Sequence, residues 1–297
     1  MKINRRIFKY FNLIAFIFFV SSCNSQTFQK KEYSFSKAKN EKATLILFPC
    51  FVCDKTNTQT EAFFLKNIQK AGISTLLLDY NQKLFLYENE KEKLAKKLNS
   101  IFKENNISNQ NVYIGGFSSG GNITILISNY LIKTKNKLQP KGIFIIDSPL
   151  DLEELYKNAQ NDVQLNKNAD AVEEGKYLIK LLDEKIGVPE TNLENYKNLS
   201  PYLISQNSIK NIEYLTKIKI RFYTEPDLVW QSENRNRKYE DLNAYKLEKT
   251  YNALKQLGNQ QLELIKTENR GYRANGKKHP HSWNILEKEN LIKWILE

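Results

Sequence analysis

Histidine is nearly absent from this chain: 297 residues hold two, His279 and His281, both near the C-terminal end. Any imidazole chemistry therefore rests on one of those two side chains. Cysteine is equally scarce, with three residues at Cys23, Cys50 and Cys53. The apolar run Phe11 to Val20 falls short of the ~20 residues that a bilayer span requires. No internal repeat, low-complexity tract or nucleic-acid motif is present, which argues against a solenoid and against nucleic acid as a partner. Acidic residues are outnumbered, and the net charge is +12. Such a surface attracts anionic lipid or polyanions, but the lysines are interleaved with glutamates along the chain and read as a solvated surface.

The first 22 residues read as a targeting segment rather than as part of a fold. Lys2, Arg5, Arg6 and Lys9 form a basic stretch before the apolar run, and Val20-Ser21-Ser22-Cys23 resembles a bacterial lipoprotein lipobox. That resemblance implies Cys23 as the lipidated first residue of an exported protein, anchored to a bacterial membrane and facing the periplasm. An ordinary secretory signal with an incidental Cys23 is the alternative. Residues 23–42 then read as a polar tether. Loss of residues 1–22 removes four positive charges and no negative ones, leaving +8 on 275 residues, the length of one α/β domain with a modest insertion.

Gly116-Phe117-Ser118-Ser119-Gly120 follows the apolar run Val112-Tyr113-Ile114-Gly115 and precedes the apolar segment Ile123 to Ile132. This is strand, tight turn and helix, with a serine at the apex and glycines on both sides. Glycine neighbours leave room for a strained serine backbone, so the hydroxyl stands clear of the sheet. A serine needs a base, and the base needs an orienting partner. His281, last before the helical pattern Asn284 to Leu296, is favoured over His279, which Pro280 ties into an extended turn. For the acid, Lys219 to Thr224 reads as a strand closed by Glu225-Pro226-Asp227, which makes Asp227 the candidate and Glu225 the fallback.

Serine, then aspartate, then histidine, each on a loop after a strand: in this order the chain resembles the α/β-hydrolase-fold serine hydrolases, over roughly residues 43–297. The resemblance implies a mostly parallel sheet with helices on both faces. It implies Ser118 as nucleophile, Asp227 as acid and His281 as base. It also implies an oxyanion hole from two backbone N–H groups: that of Ser119, and that of Phe51 on the loop after the strand Thr44 to Phe48. Pro49-Cys50 stands where many members carry His-Gly. The implied reaction is ester cleavage, or amide cleavage of a peptide-like substrate, through an acyl-enzyme without a cofactor.

The remaining segments alternate as a parallel sheet with crossover helices demands. Helices are expected over Thr60 to Ala71, Glu88 to Asn105 and Lys238 to Leu257, and strands over Ile73 to Leu78, Gly142 to Ile146 and Gln261 to Lys266. Between 150 and 216 the alternation stops in a polar, helix-like stretch broken by Pro189 and Pro201, where this fold commonly inserts a cap. The core is then 43–149 together with 217–297.

Cys50-Phe51-Val52-Cys53 admits other readings. The pair could be a thioredoxin-like redox centre, a local disulfide or two buried thiols. With His279 and His281 it could make a Cys₂His₂ zinc site, although that would consume the base and leave the serine turn without purpose. A non-catalytic binding lipoprotein is a further class. The basic loop 270–278 reads first as a solvated loop; the alternative is that Arg273 or Lys278 favours anionic substrates, and Trp230 is expected to line the pocket or pack beneath it.

Overall fold

A computed structural model describes residues 27–80 and 83–297. The expected signal segment and the Cys23 lipidation site lie outside the described residues. Among those described, eight strands form one sheet in the order β1-β2-β4-β3-β5-β6-β7-β8. They are β1 (Thr27–Gln29), β2 (Tyr33–Ser36), β3 (Ala43–Phe48), β4 (Ile73–Leu78), β5 (Val112–Phe117), β6 (Pro140–Ile146), β7 (Lys219–Thr224) and β8 (Leu262–Lys266). From β4 through β8 every pairing is parallel, while β1 and β2 pair antiparallel at one edge.

The tether reading fails from Thr27 onward. Tyr33 and Phe35 are buried, and β2 pairs with β4 from Tyr33↔Leu78 to Ser36↔Thr75. Serines and lysines around this short strand mask an alternation that the sheet edge can use.

Helices cover both faces. They are α1 (Lys55–Glu61), α2 (Glu88–Glu104), α3 (Ser119–Lys133), α4 (Leu152–Leu165), α5 (Ala169–Lys185), α6 (Pro189–Leu199), α7 (Leu228–Arg235), α8 (Asn243–Gln256) and α9 (Lys288–Leu296). Strand residues alternate between the two layers because successive side chains point to opposite faces. Ile46, Ile114, Ile143, Ile145 and Phe222 join one core with Leu98, Leu126 and Leu247 from α2, α3 and α8. Leu45, Leu47, Tyr113, Phe144 and Tyr223 join the other with Leu291 and Trp294 from α9. Being buried on both faces, the central strands are almost wholly apolar, as parallel sheets require.

Residues 150–216 fold as α4, α5 and α6 with short helical turns, between β6 and β7. Asp151 opens α4 by accepting from the Glu153 and Glu154 amides. The helix expected over Thr60 to Ala71 is instead α1 followed by two 3-10 turns, Phe63–Leu65 and Ile68–Ala71. The chain runs from β3 to β4 on one side and then returns to β5 on the other. Sheets of this kind open a crevice at the carboxyl ends of the strands where the order reverses. Here that point lies between Phe48 at the end of β3 and Phe117 at the end of β5.

Candidate active site

Ser118 sits between the last residue of β5 and the first of α3, with φ 55° and ψ −128°. A non-glycine residue at such a backbone position carries strain of about 1–3 kcal/mol and persists only where its surroundings over-determine it. Here they do. The Ser118 N–H donates to the Ile146 carbonyl on β6 at 2.9 Å, and its own carbonyl accepts from Gly121 N–H at 2.9 Å. The glycines are needed for close approach. A Cβ on Gly116 would overlap the Gly120 carbonyl, and one on Gly120 would overlap the Phe48 and Pro49 carbonyls. A third glycine, Gly121, abuts the Ser148 side chain. The serine turn is thereby wedged between the end of β3 and the turn that follows β6.

Ser118 and His281 line the same cavity. The His281 ring lies on Phe117, centroids 4.5 Å apart, and Phe117 in turn packs on buried Trp283 at 5.3 Å. Its Nδ1 stands 2.6 Å from Asp147 Oδ2. Asp147, the first residue beyond β6, is mostly buried and has φ 41°. Its N–H donates to the Tyr223 carbonyl at 2.9 Å, and its Oδ1 accepts from Thr224 Oγ1 at 3.0 Å. Asn243 Nδ2 donates to its carbonyl at 2.9 Å. Carboxylate and imidazole are thus fixed from several sides. With Nδ1–H donating to Asp147, the lone pair at Nε2 is left free to take a proton.

Asp227 is not the partner of His281. Its carboxylate caps α7, accepting from Trp230 N–H at 3.1 Å, and pairs with Lys278 Nζ at 2.6 Å. Burial pushes that carboxyl upward, but the Lys278 ammonium and the Trp230 amide outweigh burial and hold it below the ordinary aspartate value. The fallback Glu225 is also committed elsewhere. It is buried, and accepts from Thr267 Oγ1 at 3.1 Å and from the amides of Arg270 and Gly271 at 2.9 Å each. It anchors the loop that carries both histidines. His279 lines the cavity too, packed on the Trp230 ring at 4.8 Å. Burial, then the neighbouring His281, lowers its pKa to about 4, so it is neutral, and among the described residues no carboxylate pairs with it.

The β3 loop holds Cys50 and Cys53 as a disulfide, Cα atoms 5.1 Å apart, with Cys53 N–H donating to the Cys50 carbonyl at 3.0 Å. Between them Val52 has φ 57°, a strained value for a β-branched residue, and the Phe51 ring meets Tyr177 of α5 at 5.7 Å. Ser119 is buried at the first position of α3. Each sulfur is bonded to the other, and among the described residues no group of three or more His, Cys, Asp or Glu side chains is placed to hold a metal ion. The zinc reading has no support in this arrangement.

The cavity measures about 140 Å³. Beyond Ser118 and the histidines, Trp230 lines it, and α4, α5, α7 and α8 close it with a polar wall. On that wall Arg237 pairs with Asp162, and Arg235 with Glu174 at 3.5 Å. Buried Lys246 donates to the Glu240 carbonyl at 2.7 Å, and burial lowers its pKa to about 8. Asp151 is driven up to about 6 by burial, despite the amides it accepts from. Arg273 is not on this wall: its guanidinium lies over the Phe117 ring at 5.8 Å, and Lys278 is spent on Asp227. The cavity lining carries five carboxylates, Asp147, Asp151, Asp162, Glu174 and Glu225, against three cations, Arg235, Arg237 and Lys246, so an anion preference based on Arg273 loses its structural footing.

Sequence reasoning missed Asp147, although Asp147-Ser148-Pro149 ends the expected strand Gly142 to Ile146. Two adjacent strands end in aspartates, and the choice between them depends on where the long loop 267–282 sets the imidazole.

No protein-family model matches the sequence, and no curated protein matches it. Solved structures do. The chain is similar to carboxyl esterase 2 of the fungus Tuber melanosporum at 15% identity and TM-score 0.52, covering 79% of this chain and 70% of that one. It is similar to an esterase/lipase from an uncultured bacterium at 13% identity and TM-score 0.55, covering 91% and 85%. A fluorophosphonate-binding serine hydrolase of Staphylococcus aureus aligns at 9% identity and TM-score 0.54, covering 92% and 97%. At such identities these likenesses show the fold, and with the strand order above they show it to be the α/β-hydrolase fold.

Proposed function

We propose that this chain is a serine hydrolase that cleaves esters of small acyl groups through a covalent acyl-enzyme. One observation carries the reading: a strained serine and a carboxylate-held imidazole open onto one cavity at the carboxyl ends of the sheet. His281 Nε2 removes the proton of Ser118 as its oxygen attacks the ester carbonyl, and Asp147 stabilises the imidazolium that forms. The amides of Ser119 and Phe51 take the oxyanion. Each such donor is worth about 3 kcal/mol in the transition state. The imidazolium then protonates the departing alcohol, and water, deprotonated by the same ring, releases the acid.

The cavity, by its size and lining, supports short-chain esters as the substrate class. Its small volume and its paired charges oppose a long aliphatic chain, which would forgo the roughly 0.8 kcal/mol that each buried methylene gains in an apolar groove. Acetyl to butyryl esters are therefore the favoured substrates, and α4 and α5 serve as the cap that bounds the acyl site. Export also belongs to this proposal: residues 1–22 direct secretion, and lipid on Cys23 tethers the enzyme to a bacterial membrane. Metabolic labelling with palmitate, lost in Cys23→Ser, would support the tether, and unlabelled wild type would remove it. For the enzyme, a panel of p-nitrophenyl esters from acetate to palmitate is the test. Turnover that falls with chain length and disappears in Ser118→Ala is expected, and turnover retained in Ser118→Ala would end the proposal.

A further inference from the structure

A second cavity, of about 580 Å³, is lined by different residues from the serine site. The start of α2 supplies Tyr87, Glu88 and Lys91; the ends of α3 and α5 supply Lys133 and Lys185; α6 and the loop after it supply Asn198 and Lys210. Four lysines thus face one glutamate. We propose that this cavity binds a phosphate-bearing anion, with Lys133, Lys185 and Lys210 closing on it around the buried Lys91.

Lys91 is 7% exposed, far less than lysines normally tolerate. Its ammonium meets Asn211 Oδ1 at 3.1 Å and Glu88 Oε2 at 3.3 Å. Asn211 is itself buried, and its amide donates to the Asn198 and Ser200 carbonyls at 3.0 and 2.8 Å, so its oxygen is fixed toward Lys91. The base of the cavity is therefore preorganised around a positive charge. Burial, and then the nearby Lys133 and Lys210 ammoniums, lower the Lys91 pKa against the opposing pull of Glu88. Like charges lining one cavity repel one another.

Among the described residues no carboxylate pairs with Lys133, Lys185 or Lys210; Lys210 reaches only the Asn198 side-chain oxygen, at 2.5 Å. The helix dipoles at the carboxyl ends of α3 and α5 offset part of the repulsion on Lys133 and Lys185. They do nothing for Lys91 and Lys210. A multiply charged anion cancels the remainder, and the positive end of the 17-residue α2 adds to its attraction. Phosphate groups fit this chemistry because their oxygens accept from several ammoniums at once. The source is either a soluble phosphate ester or a phospholipid headgroup.

Calorimetric titration of the full-length protein with sodium pyrophosphate, at constant ionic strength, tests the site. Binding at one equivalent is expected, weakened at least about tenfold, or about 1.4 kcal/mol, in Lys133→Gln/Lys210→Gln. The exposed pair Lys141→Gln/Lys255→Gln should bind like wild type. Sedimentation with phosphatidylglycerol vesicles, against phosphatidylcholine alone, separates the sources. Vesicle binding that needs Lys133 and Lys210, without pyrophosphate binding, assigns the phosphate to a lipid. If wild type saturates with neither probe, or the control pair loses as much as the cavity pair, the proposal is overturned. Lys91 is left intact so that its burial does not confound folding. Ester turnover is not part of the readout, so failure here leaves the serine site untouched.

Discussion

Replacing Asp147 with asparagine changes little in shape and reverses one interaction. The side chain keeps its volume, and asparagine tolerates the positive φ of 41° at this position as well as aspartate does. The Thr224 hydroxyl can still donate to the amide oxygen. The atom 2.6 Å from His281 Nδ1 then becomes either an amide NH₂ or an uncharged oxygen. An NH₂ there forces Nδ1 to accept, which moves the ring proton to Nε2 and removes the base; an uncharged oxygen gives up the charge that stabilises the imidazolium. The analogous substitution in a serine protease lowers turnover by about 10⁴. The expected loss of kcat/KM is therefore about 10³- to 10⁴-fold, or about 4–5.5 kcal/mol. Asp227→Asn is the matched control. It breaks a partly exposed pair with Lys278, worth about 0.2–1 kcal/mol of stability, and should leave kcat/KM within about threefold. Both variants are assayed on p-nitrophenyl acetate from pH 6 to 9, with circular dichroism to confirm folding. A folded Asp147→Asn that works at near wild-type rate, beside a disabled Asp227→Asn, would refute this reading of the acid.

Other outcomes follow from the same geometry. Gly120→Ala forces a methyl into the Phe48 and Pro49 carbonyls, so activity should fall at least about 100-fold, with stability down by about 1–3 kcal/mol in urea unfolding. Glu225→Gln places an NH₂ among the Arg270 and Gly271 amides and the Thr267 hydroxyl. Stability should fall by about 1–3 kcal/mol, with a lower kcat as the histidine loop loosens. His279, with its pKa lowered to about 4, binds fewer protons folded than unfolded between pH 4 and 6.5. Its contribution to stability is therefore lost on acidification through that window. Asp151, raised to about 6, acts in the opposite sense over the lower part of the same range, so the effect is read as the difference between wild type and His279→Gln. The variant should lose less stability between pH 6.5 and 4, and an unchanged slope would contradict the burial argument.

Much of the fold was legible because apolar blocks and glycine turns punctuate this chain in the rhythm of a parallel sheet. Strands at Ile73–Leu78 and Lys219–Thr224 have the bounds that their apolar composition suggests. Ser118 was legible through its glycines, whose need for close backbone approach is a local property. Scarcity narrowed the base to His279 and His281, and the position of His281 before the last helix, with Pro280 beside His279, decided between them. The acid was not legible, since Asp147 and Asp227 both follow strands and only tertiary placement of the 267–282 loop distinguishes them. Helix α7 was hidden in what read as a loop, because its cap is the same Asp227 assigned to catalysis. Strands β1 and β2 were hidden by their brevity, and their pairing on β4 is a long-range event that short polar segments do not announce. Arg273 was placed near the site by its loop, but sequence could not foresee that Phe117 would hold it.

Catalysis at this site turns on one oxygen atom, Oγ of Ser118, and a fluorophosphonate probe followed by peptide mapping reads its reactivity directly. A single phosphonylated residue, Ser118, is expected, with labelling abolished in Ser118→Ala and strongly slowed in His281→Ala. A folded wild-type protein that stays unlabelled, or carries the adduct on another side chain, would contradict it.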